Sequence, residues 1–112
     1  ADGFWEITEA GMNLSRRKDP RFSVPIEVFI HRLDNEQNII ASERTVTENI
    51  SVRGAAVFSS LEIAAGGQVR ISSDFYNFSS IAIVRARRIG SDHLPRLHLE
   101  FVESHFPLDG ID

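Results

Sequence analysis

An all-β fold, a small antiparallel barrel of six strands, is what this sequence predicts, and three observations carry the prediction. Apolar and polar residues alternate at period two through most of the chain, helical spacing of apolar residues is scarce, and polar or glycine-rich turn signals separate the alternating runs. Short strands in an open sheet leave unpaired edges, and closing the sheet into a barrel removes them.

The elements follow in order. Val24, Ile26, Val28 and Ile30 alternate with Pro25, Glu27, Phe29 and His31, which predicts a first strand with one face in the core. Leu33 to Asn38 reads as a polar turn, and Ile39 to Glu48 as the return strand of a hairpin. Gly54 to Ser59 is a third strand. The Ala64-Ala65-Gly66-Gly67 break ends that region, Val69 and Ile71 mark a fourth strand, and Phe78 to Ile89 form a long fifth. Leu97, Leu99 and Phe101 alternate with Arg96, His98 and Glu100 in a sixth. The segment Phe4 to Leu14 carries the single Trp and the single Met, and reads as a short helix, a strand covering the barrel, or the end of a preceding domain.

A chain of 112 residues suits one domain with one core. We expect an extension over residues 1–14, the barrel over 15–103, and a loose tail or linker over 104–112. No apolar run approaches the ~20 residues of a membrane span, so no membrane insertion is expected. The absence of cysteine removes disulfides and thiolate chemistry and fits a reducing cytoplasm, the expected location. The chain opens on Ala without a basic-then-apolar leader, and reads as trimmed or as a piece of a longer protein. A net charge of −4 argues against a general DNA or RNA binder, which would carry a basic excess.

Two short polar stretches stand out against this background. Arg16-Arg17-Lys18-Asp19-Pro20-Arg21 gathers guanidinium forks that pair with phosphate and stack on flat rings. Asn49-Ile50-Ser51-Val52-Arg53-Gly54 supplies an amide, a hydroxyl, another guanidinium, and a glycine that permits either a positive φ or a close backbone approach. Pro20 biases the first stretch toward an extended or turn conformation, so residues 15–21 are expected to be a mobile arm that folds over a ligand. Arg85, Arg87 and Arg88 lie on the fifth strand, where strict alternation puts Arg85 and Arg87 on one face and Arg88 on the other.

The order and spacing of these residues resemble the PilZ domain family, bacterial receptors for cyclic di-GMP, from about residue 15 to 103. Arg17 and Arg21 match an Arg-x-x-x-Arg motif, and Asn49, Ser51 and Gly54 match an Asp/Asn-x-Ser-x-x-Gly motif, with Asn where many members have Asp. The resemblance implies a split-barrel domain that binds cyclic di-GMP between the arm and the barrel's outer face. Arg17 and Arg21 would grip phosphate and stack on guanine, and Asn49 and Ser51 would hydrogen-bond a guanine edge. Arg16 and Arg53 join the candidate ligand-binding set as neighbours of the motif positions. It also implies a protein effector or adjacent domain as partner, with no cofactor besides the ligand.

Other chemistries find little support. His31, His93, His98 and His105 lack the spacing of a metal motif, so no metal site is expected. Ser51 has no evident base to activate it, and no catalytic residue or enzyme activity is expected. Two alternatives stand beside the receptor: a barrel of the same architecture that binds protein but no nucleotide, and a small RNA-binding barrel, which the acidic balance disfavours.

Overall fold

The computed structural model describes residues 20–108. They form six strands: β1 (Glu27–Leu33), β2 (Ile39–Ile50), β3 (Gly54–Phe58), β4 (Gln68–Ser73), β5 (Phe78–Ile89) and β6 (Pro95–Phe101). All neighbouring strands run antiparallel and close in the order β1-β2-β3-β6-β5-β4. The β3–β6 pairing joins strands distant in sequence, and it lays the middle of the chain against its end.

Alternation places Val28 and Ile30 of β1, Val69 and Ile71 of β4, Val84 of β5, and Leu97 and Leu99 of β6 inside the barrel, where they form one buried cluster. Phe78, Phe101 and Phe106 pack against one another, with ring centroids 5.1 Å apart in the Phe78–Phe101 and Phe78–Phe106 pairs. Phe106 is only 2% exposed, and its N–H donates to the Val52 carbonyl at 2.9 Å. Residues 104–108 are therefore packed onto the barrel, which corrects the expectation of a loose tail from residue 104. Burial of the Phe106 ring and its backbone hydrogen bond to Val52 offset part of the freedom the segment loses.

The first strand starts at Glu27, later than alternation from Val24 predicts. The hydroxyl of Thr47 explains the difference by standing in for the ladder. It donates to the Val24 carbonyl at 2.6 Å and accepts from the Ile26 N–H at 2.9 Å. The turns also follow side-chain chemistry. Asp34 Oδ1 accepts from the N–H groups of Glu36 and Asn38 at 2.8 and 2.9 Å, and Gln37 between them sits at φ 65°. His93 sits at φ 65° in the β5–β6 turn, a backbone role for one of the four histidines.

Two breaks in register shape the outer surface. On β2, Thr47 pairs with Val57 and Asn49 with Ala56, so Glu48 is an extra residue. On β5, Val84 pairs with Leu99 and Ala86 with His98, so Arg85 is extra. Each bulge flips the phase of the strand beyond it. Asn49, Ala56, His98 and Ala86 consequently form one row across four strands on the outer face, with Ala56 covered, while Ile50, Ala55, Leu99 and Val84 form the row beside it that faces the core.

Candidate functional site

The link from β2 to β3 is a tight turn held by Ser51. Its N–H and its hydroxyl both donate to the Gly54 carbonyl, at 2.8 and 3.3 Å, and the residue is buried. The carbonyls inside the turn are also taken, Val52 by the Phe106 N–H and Arg53 by the Phe101 N–H at 2.7 Å. Gly54 is required by close approach, one of the two reasons the sequence left open. A Cβ at this position would lie 2.5 Å from the Leu99 carbonyl oxygen of β6, a backbone atom that the ladder holds in place.

The chain arrives at this turn from the N-terminal side. Phe22 and Ile50 exchange backbone hydrogen bonds at 2.8 and 3.0 Å, which pins the segment just before β1 to the end of β2. Arg21 precedes that bridge, and its Nη1 donates to Asn49 Oδ1 at 2.6 Å. Its Nη2 lies over Gly54, 3.8 Å from where a Cβ would stand. Arg21, Asn49, Ser51 and Gly54, of which Arg21 and Asn49 alone stand 28 positions apart along the chain, are thus one constellation. The root of the expected arm is fixed at Arg21, while Arg16 and Arg17 lie outside the described residues.

Beside this turn a trough of ≈ 480 Å³ runs over the outer face of β3, β6 and β5. Arg21, Ser51, Arg53 and Gly54 line one end, and Arg85, Ala86, Arg88, His98, Leu99 and Glu100 line the rest. Asn49 does not line it and acts on Arg21 instead. The alternation expected on the fifth strand is corrected here. Because the bulge at Arg85 re-phases β5, Arg85 and Arg88 line the same trough and Arg87 does not. Bulge positions are invisible to a period-two reading, so alternation alone cannot tell which of the three arginines of β5 extends the positive surface of the site.

Four guanidinium groups give the trough a positive field in a chain of net charge −4. Arg85 spends part of its charge on Glu100, with Nε donating to Oε1 at 2.6 Å. Burial, helped by the positive charge of Arg88 and Arg21, holds His98 below the ordinary histidine pKa, with Glu48 opposing weakly and Arg96 adding to the depression. Arg96 itself is structural: it grips Asp92 through both terminal nitrogens, at 3.0 and 2.7 Å, reaches Glu48 at 2.8 Å, and lies over the Phe58 ring at 4.8 Å. Among the described residues no group of three or more His, Asp and Glu side chains could hold a metal ion. No described helix is long and apolar enough to cross a membrane.

A trough lined by arginine forks beside a tight Asn-x-Ser-x-x-Gly turn is where the comparison with known proteins becomes informative. The family model of the PilZ domain matches residues 15–105. The chain belongs to the PilZ domain family. PilZ domains are nucleotide-binding receptor domains, not enzymes. Three solved structures share the PilZ fold seen here. The inhibitor of motility MotI/DgrA of Bacillus subtilis matches with a TM-score of 0.67 at 22% identity, over 80% of this chain and 44% of that one. YcgR of Escherichia coli in complex with c-di-GMP gives 0.58 at 19% identity, over 78% and 38%. The isolated PilZ domain of YcgR with c-di-GMP gives 0.52 at 18%, over 78% of each chain. The chain spans less than half the length of the first two. No curated protein matches it in sequence.

Proposed function

We propose that this PilZ domain is a cyclic di-GMP receptor that passes the binding event to a partner protein or adjacent domain in the cytoplasm. The observation that carries this reading is the convergence of Arg21, Ser51, Arg53 and Gly54 at one end of an arginine-lined trough, with Asn49 holding Arg21 in position. The family and the two neighbouring structures that hold c-di-GMP support the same ligand. Guanidinium groups at the trough pair with the two phosphates, the buried turn gives one guanine a rigid wall, and Gly54 keeps that turn close against β6. Arg17, with Arg16 beside it, joins Arg21 at the phosphates. Ser51 contributes chiefly by fixing the turn, since its hydroxyl is engaged with the Gly54 carbonyl.

Thermal denaturation and calorimetry test this directly. Cyclic di-GMP at about a hundred times its dissociation constant stabilises the domain by roughly 2.7 kcal/mol, a shift of several degrees, whereas GTP and cyclic AMP leave the midpoint in place. A folded, ligand-free domain that shows no shift and no heat with saturating cyclic di-GMP is instead a protein-interaction barrel.

A further inference from the structure

Cyclic di-GMP has two identical halves, and the turn at Ser51 to Gly54 together with Arg21 accounts for one of them. The other half must meet the far end of the trough. Gly54 pairs with Glu100, and Arg88 pairs with Arg96, four residues along β6 and one strand further over. Strand spacings put those two Cα positions about 16 Å apart. The floor between them is the methyl of Ala86 and the imidazole of His98, cross-strand partners on the outer face. With the His98 pKa lowered by burial and by Arg88, this surface carries no charge at neutral pH. It suits a planar base better than a phosphate, for which Arg21 and Arg53 stand at the opposite end.

Two arginines edge this floor. Arg85 is engaged by Glu100, whereas Arg88 makes no hydrogen bond or ion pair with the described residues. The bulge at Arg85 is what turns Arg88 toward the trough, and bulges recur beside sites because they re-aim side chains in this way. Guanine presents two adjacent acceptors, O6 and N7, that match an arginine fork, while adenine places a donor at the first of them. Resting on the receptor reading above, we propose that Arg88 binds the O6/N7 edge of the ligand's second guanine and so makes the site selective for two guanines over one.

The test is calorimetry on the wild type, Arg88→Ala and Arg87→Ala, with cyclic di-GMP and with 3′,3′-cyclic GMP–AMP, which keeps both phosphates and one guanine. The wild type and Arg87→Ala favour cyclic di-GMP over the hybrid by about tenfold or more. Arg88→Ala loses a similar factor for cyclic di-GMP and binds the two ligands within about twofold of each other. Both arginines are exposed, so neither substitution disturbs the core, which an unchanged melting curve verifies. Retention of the wild-type preference by Arg88→Ala would overturn the proposal. Equal weakening toward both ligands would also overturn it, by making Arg88 a phosphate contact. A wild type that binds neither ligand overturns the receptor reading itself, and the inference with it.

Discussion

Gly54 shows how one atom controls the site. The Leu99 carbonyl that a Cβ would strike belongs to the β3–β6 ladder, so Gly54→Ala must separate the two strands or tilt the turn. We expect a loss of about 1–3 kcal/mol on thermal denaturation, typical of forcing a methyl into occupied space, together with weaker cyclic di-GMP binding. Asn49 has a part in the structure beyond the one its motif position suggests. The sequence identified an amide able to read a base edge, and the structure uses that amide to orient Arg21. A double-mutant cycle separates the two roles. If Asn49 acts through Arg21, Asn49→Ala weakens binding in the wild type, yet adds little once Arg21 is Ala, because contacting residues are non-additive. Full additivity by calorimetry would return Asn49 to the ligand.

The strands were legible because period-two alternation and turn chemistry act locally, whereas the bulges were not, because they depend on pairing with strands far away in sequence. Glu48 and Arg85 look like ordinary outward residues until β3 and β6 fix the register around them. The end effects were hidden for the same reason. Val24 and Ile26 have strand-like spacing, but their backbone groups go to the Thr47 hydroxyl, and Phe106 follows polar residues that gave no hint of its burial. Thr47 is 2% exposed and serves a carbonyl and an N–H at once. Thr47→Val keeps the shape and strands both groups, so stability should fall by about 1–3 kcal/mol. Denaturant unfolding measures it, and an unchanged midpoint would show that water or a shifted backbone replaces the hydroxyl.

At the scale of the whole molecule, an acidic chain concentrates positive charge in one trough, and the cost of that concentration falls on His98. Burial is the first reason its ring resists protonation, and a proton there also adds charge beside Arg88, Arg21 and Arg96, with Glu48 opposing, so the folded domain holds it below the ordinary value of 6.5. The folded state therefore binds fewer protons than the unfolded chain around that pH. The stability tied to the neutral ring is fully present above about 6.5 and drains away as pH falls through that value toward the lower folded one. Ligand reverses the local field. Two phosphates in the trough favour the imidazolium, so the complex takes up a proton that the free domain refuses. Between pH 7.5 and 5.5 the free domain should lose stability while its affinity for cyclic di-GMP rises. Calorimetry in buffers of differing ionisation heat should register proton uptake on binding at the acidic end. His98→Gln removes the titrating group while keeping a polar side chain, and should flatten the rise in affinity. Affinity that is independent of pH in the wild type, or a rise that His98→Gln leaves intact, would show that His98 does not couple the trough's charge to the ligand's.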